Sequence, residues 1–414
     1  MLSSLLAMLL GVLPAPAQTP VAPGPPMAAP QDRDYFGNIR LEVDATDVTR
    51  HIFSVHETIP VRAGPVLLFY PKWIPGTHAP GGQIAGLAGL VIKAGEQRIE
   101  WARDTEDVYA FHVSVPHGTT QLDVQFQFLS AGEGGDGRVV TTPEMLSLQW
   151  NSVVLYPAGY FVRRITVDPS LRLPDGWQFA TALDVASQTG ASIAFRPVSL
   201  NTLVDSPVLS GLYVRRVDLA TEPVPVRLDI FADHPELLEA TPKQLDAHRA
   251  LVTQANKLFN SHHYDHYDFL LSLSDRLGGI GLEHHRSSED GTVPGYFTEW
   301  DGNPDLRDLL SHEYTHSWNG KFRRPADLWT ATFNEPERDS LLWVYEGQTQ
   351  YWGYVLAARA GLLTKQETLD AVAGIAAAFQ HRTGREWKSL QDTTNDPIVE
   401  MRRGLPWRSW QRSE

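Results

Sequence analysis

The chain of 414 residues contains no cysteine. Disulfide staples, thiolate nucleophiles, cysteine-ligated metals and a lipid anchor on cysteine are therefore excluded. Positive charge is scarce as well: 35 Lys and Arg stand against 49 Asp and Glu, a formal net charge of −14. A surface of that sign repels phosphate backbones and anionic headgroups, which argues against nucleic acid and anionic membrane as partners. It tolerates cationic ligands such as free peptide amines. Long apolar runs are also lacking, since the stretch from Leu2 to Leu13 is too short to span a bilayer. No Gly-x-Ser-x-Gly elbow and no phosphate-binding loop occurs. What remains is ordinary globular composition, 42% hydrophobic and 20% charged, in a chain long enough for two or three domains.

Residues 1–17 read as a secretory signal, an apolar run followed by the small-x-small site Ala15-Pro16-Ala17, although no Lys or Arg precedes the run. Residues 18–32, rich in Pro and Ala, read as a tether. Export of a cysteine-free chain is expected to lead to a bacterial periplasm. From about 33 to 225 the dominant period is two. Leu122, Val124, Phe126 and Phe128 alternate with Gln121, Asp123, Gln125 and Gln127, and Phe111, Val113 and Val115 alternate with His112 and Ser114. Half-buried strands separated by Gly- and Pro-rich turns predict a β-sandwich-like domain. The period then changes. Thr241-Pro242-Lys243-Gln244 is a capping box that predicts a helix to about Asn260, and Thr364 to Glu367 opens a second helix ending near Gly384. Tyr267–Ser274 reads as a strand between them. The expected fold class is α+β and multidomain, with the β-rich domain over 33–230 and an α-rich domain over 231–414.

The α-rich half carries His312-Glu313-Tyr314-Thr315-His316, an H-E-x-x-H pentapeptide. Two histidines four apart share one helix face, so both imidazoles reach one Zn²⁺, and the adjacent glutamate can deprotonate a bound water. Chance would produce such a pentapeptide in roughly a few per cent of chains this rich in histidine. Asn303, Pro304 and Asp305 suit the start of a helix over 304–318, with Asn319-Gly320 as its stop. Zinc needs a third ligand and one open position. Glu346 is the one acid between Asp339 and Glu367, in an apolar and aromatic stretch where an unpaired carboxylate is costly. The competing expectation is a salt bridge from Glu346 to Arg359. His262, His263 and His266, with Asp265 and Asp268, fall at a helix-to-strand turn and read as turn polarity rather than a second metal site. Of His284 and His285, adjacent on a strand, at most one can line a cleft. Trp318, Trp329, Trp343 and Trp352 read as core.

Four stretches together resemble the glycyl aminopeptidase family, zinc peptidases with a thermolysin-like catalytic domain. They are His312 to Asn319 continuing through Lys321 to Arg324-Pro325, Trp343 to Tyr351, Gly278-Gly279-Ile280-Gly281-Leu282-Glu283-His284, and Trp73-Ile74-Pro75-Gly76. The resemblance covers about residue 33 to the end. It implies one zinc ion held by His312, His316 and Glu346, with Glu313 as general base. It also implies that Glu283 holds the free α-amino group of a peptide substrate. Gly278, Gly279 and Gly281 would let an extended peptide approach an edge strand. Related proteins continue well past the point where this chain stops, at Ser413-Glu414 after the run Trp407 to Arg412. A truncation is therefore expected, with the oxyanion-stabilising tyrosine beyond residue 414. The implied activity is that of an exported zinc aminopeptidase releasing small first residues such as Gly or Ala. The alternatives are a zinc endopeptidase with the same metal site, or a peptide-binding protein that has lost catalysis.

Overall fold

A computed structural model of the chain describes residues 29–135, 137–381 and 386–400. The expected signal at 1–17, most of the tether and the run Trp407–Arg412 lie outside the described residues.

The period-two segments form strands as expected. Gln121–Leu129 buries Leu122, Val124, Phe126 and Phe128 and leaves Gln121, Gln125 and Gln127 exposed. It pairs antiparallel with Ile52–Pro60 on one side and Leu87–Ala94 on the other, near the middle of a nine-stranded sheet. A second sheet of four strands, built around Gly64–Phe69 and Ala110–Val115, packs against the first. Leu41, Phe53, Leu68, Phe111, Val124 and Phe128 meet in one core between them. Each such side chain contributes about 1.5–3 kcal/mol on burial, and alternation fixes which face turns inward.

A separate five-stranded sheet supports the α-rich half. Its order is Tyr213–Ala220, Val226–Ala232, Tyr267–Leu273, Ser287–Thr292 and, at the edge, Gly281–Glu283. The chain therefore changes sheets between Gly211 and Tyr213, ahead of the 230/231 junction that periodicity suggested. Alternation marks a strand without saying which sheet it joins. Helix Pro242–Phe259 opens with the expected capping box, Thr241 and Gln244 each satisfying the other's backbone N–H. The box at Thr364 and Glu367 likewise opens Lys365–Phe379. The helices bury Leu251, Leu310 and Leu356 against Phe269 and Leu271 of the sheet in a second core. The three-stranded sheet holding Met145–Leu148 and Val208–Gly211 joins the halves, placing Met145 and Leu209 beside Phe231 and Leu270. No helix among the described residues is long and apolar enough to cross a membrane.

Two elements differ from expectation. The helix over 304–318 is divided: a 3-10 turn at Pro304–Leu306 precedes an α-helix at Leu309–Thr315. Asn303 does not cap it, because its side chain donates to the Glu299 carbonyl. Glu346 stands in a π-helical turn, Trp343–Gly347, that runs into the α-helix Gln348–Ala360. Wide turns of this kind recur where a side chain must be re-aimed for function.

Candidate metal centre

The motif helix and the helix after the π turn pack closely through Gly353, where a Cβ would lie 3.1 Å from His312 Cα. Ser311 Oγ donates to the Gly353 carbonyl at 2.9 Å and locks the pair. This contact brings Glu346 under the two histidines. His312 Nε2 and His316 Nε2 are 3.1 Å apart, and Glu346 Oε2 lies 3.3 Å from the first and 3.4 Å from the second. Tetrahedral arms of about 2.0–2.1 Å put neighbouring donors roughly 3.3 Å apart, so the three atoms fit one zinc ion. His316 Nδ1 lies 3.0 Å from the Asn319 carbonyl, which fixes the ring tautomer and leaves Nε2 to face the ion. Glu313 also comes within 4.8 Å of both histidines. Glu346 makes the triangle close, and Glu313 borders it. The salt bridge to Arg359 does not form, since Arg359 donates to Gln254.

Glu313 is buried, and burial pushes its carboxyl well above the usual carboxylate range. His312 opposes that shift, while Glu283, Asp290 and Glu346 add to it. A cation between the ligands would favour the ionised form.

Glu283 ends the edge strand and is only 3% exposed. Burial alone would raise its carboxyl, yet the Lys321 ammonium and His316 hold it down to about 2. Lys321 Nζ lies 3.9 Å from Glu283 Oε1 and 3.0 Å from Asp205 Oδ1 of the β-domain. The Tyr345 hydroxyl donates to Glu283 Oε1. Gly281 faces Glu313 rather than open cleft: a Cβ there would lie 2.5 Å from Glu313 Oε1. Gly279 is unconfined by comparison, its nearest neighbour being the Gly291 carbonyl at 3.8 Å.

His78 and Asp205 were not singled out from the sequence, and Tyr345 and Lys321 only as parts of motifs. Their contacts join residues far apart in the chain, and only the Trp73–Gly76 signature pointed toward one of them. His284 is buried between Asp205 and Glu289, and His285 is the half-exposed one. His263 stacks on Phe322 with ring centroids 3.4 Å apart, and His266 Nδ1 lies 3.0 Å from Asp268, so the three histidines near 264 serve local packing.

Scaffold and donor set together make a three-donor site whose spacing fits one zinc ion. Residues 305–414 match M61 glycyl aminopeptidase, and residues 40–212 match the peptidase M61 N-terminal domain. The chain belongs to the M61 glycyl aminopeptidase family. No curated protein matches it. Among solved structures it is similar to an aminopeptidase N family protein from Idiomarina loihiensis, with 19% identity and a TM-score of 0.76. That match covers 87% of this chain and 61% of the other, so this chain spans about three fifths of that protein's length. It is also similar to an M1 zinc metallopeptidase from Deinococcus radiodurans, with 15% identity, a TM-score of 0.49, and coverage of 84% of this chain and 75% of the other.

Proposed function

We propose that this chain is a zinc-dependent aminopeptidase that hydrolyses the first peptide bond of peptides with small first residues. The observation that carries the reading is the triangle of His312 Nε2, His316 Nε2 and Glu346 Oε2, with sides of 3.1 to 3.4 Å, bordered by Glu313. When bound, zinc supplies Lewis acidity toward the scissile carbonyl and toward water. Glu313 takes a proton on its carboxylate as water attacks and hands it to the leaving amine. Glu283, kept ionised beside Lys321, attracts the terminal ammonium. The edge strand Gly281–Glu283 offers backbone groups to an extended peptide. The packing of Gly76 against Leu282 and Glu283 supports a small first residue. The apolar run and cleavage-type site within residues 1–17 support export, to a bacterial periplasm.

The test compares Gly- and Ala-initiated peptides with their N-acetylated forms. Free peptides should be cut and blocked ones spared; equal cleavage of both would replace the exopeptidase reading with an endopeptidase. Glu313→Gln should keep its zinc and lose activity by about 10²–10⁴-fold. Undiminished turnover in that variant would remove Glu313 as base.

A further inference from the structure

Of the Trp73-Ile74-Pro75-Gly76 signature only Gly76 has entered the reading above, although the loop that follows it reaches Glu346 from the β-domain. Trp73 N–H donates to the Phe333 carbonyl at 2.7 Å, on the segment that leads into the π turn. Thr77 folds the loop back, its N–H donating to the Ile74 carbonyl at 3.0 Å and its hydroxyl to the same atom at 2.8 Å. Gly76, at φ +88, passes so close that a Cβ would lie 2.8 Å from Glu283 Oε2. Two residues on, His78 holds φ +52, a left-handed conformation uncommon outside glycine and asparagine. Strain of this kind persists only where the surroundings demand it, and it clusters at functional sites.

The outcome of that backbone is the placement of one ring. His78 is 6% exposed and packs edge-on against Tyr345, with centroids 5.2 Å apart. Its Nε2 lies 2.5 Å from Glu346 Oε1. An ionised carboxylate only accepts, so Nε2 carries the hydrogen. Oε2 is the oxygen that approaches the other two imidazoles, 3.3 Å from His312 Nε2 and 3.4 Å from His316 Nε2. The two oxygens of Glu346 are thus divided, one to the β-domain and one to the ion.

We propose that His78 is a positioning residue for the third metal ligand, holding Oε1 of Glu346 so that Oε2 alone is presented beside His312 and His316. The inference rests on the metal-centre reading. In it the signature loop delivers an imidazole from the β-domain to a carboxylate 268 residues away in the chain. Partners of this kind orient a ligand and raise metal affinity.

The experiment measures zinc dissociation constants of the full chain by competition with a chromophoric chelator, together with the visible spectrum of the cobalt-loaded protein. His78→Gly and His78→Asn both tolerate the left-handed backbone and lack a donor that reaches Oε1. Each should bind zinc about 10–100-fold more weakly than the parent and show an altered cobalt spectrum. His78→Gln, whose amide reaches further, should recover part of the affinity. Melting of the metal-free proteins distinguishes loss of positioning from loss of fold, and where one variant does not fold the other two decide. Parental affinity and an unchanged cobalt spectrum in the folded variants would overturn the proposal. Glu346→Gln is the control that should lose zinc whatever His78 does. A parent chain that takes up no zinc would overturn the metal-centre reading and this inference together.

Discussion

One hydrogen atom separates Gly281 from a clash with Glu313, the proposed base. A methyl group in its place would lie 2.5 Å from Glu313 Oε1 and 2.8 Å from Leu309 Cδ1. Neither neighbour yields easily, since Glu313 is buried and Leu309 starts the motif helix. Gly281→Ala should therefore displace the carboxylate. A misplacement near 1 Å costs catalysis about 10²-fold, and kcat should fall with little change in zinc content. Parental kcat would mean that Glu313 is positioned independently of this strand. The residue also shows how far sequence reasoning carries. A glycine in the Gly278–Glu283 run signalled that something comes close. Which group comes close depends on how a sheet edge meets a helix, and neither residue type nor spacing encodes that. His312, His316 and Glu346 were legible because metal chemistry restricts both donor type and helical spacing. His78 and Asp205 were not, because partners far along the chain leave no periodic trace.

At the scale of elements, the capped helices were legible and the irregular ones were not. A capping box is a local, four-residue code, and both boxes form. A π turn of five residues is too short to differ from an α-helix in its pattern of apolar positions, so the geometry that aims Glu346 was hidden. Helix Pro242–Phe259 gives a quantitative test. His248 lies fully buried on it, Nδ1 2.7 Å from the Gln244 carbonyl and Nε2 2.9 Å from the Tyr296 hydroxyl. Burial pushes its imidazole down from 6.5 to about 4. The unfolded chain therefore binds a proton below pH 6.5 that the folded chain refuses until about pH 4. Stability from this residue is present above pH 6.5 and is lost as pH falls through that window. Between pH 7 and 4.5 the loss should reach about 2–3 kcal/mol relative to His248→Gln, which has no titrating ring. Urea unfolding of both proteins at the two pH values measures the difference, and parallel pH profiles would show that His248 takes up its proton alike in the folded and unfolded chain.

At the scale of the molecule, the metal centre lies on a seam. The β-domain has its own core, the helical half has another, and polar residues from both converge between them. Asp205 reaches Lys321 and through it Glu283, while His78 reaches Glu346. Buried carboxylates crowd the seam, Glu283, Asp290, Glu313, Glu337 and Glu346 among them, and burial pushes Asp290 and Glu337 each up to about 7. Bringing so much negative charge out of water opposes folding unless cations compensate. Lys321 and the histidines supply part of that compensation, and a divalent ion would supply more. Zinc should therefore act as a folding ligand as well as a cofactor. An ion that binds only the folded chain, at about 100 times its dissociation constant, adds about 2.7 kcal/mol. For units of this size that corresponds to a melting temperature raised by about 5–10 °C. Chelation should lower the transition by that amount and zinc should restore it. Glu313→Gln, which keeps the ligands, should respond like the parent, and Glu346→Gln should not respond at all. If a chelator strips the ion and the melting curve stays where it was, the seam is stabilised by its own side chains, and its crowded carboxylates do not need a metal to be held in place.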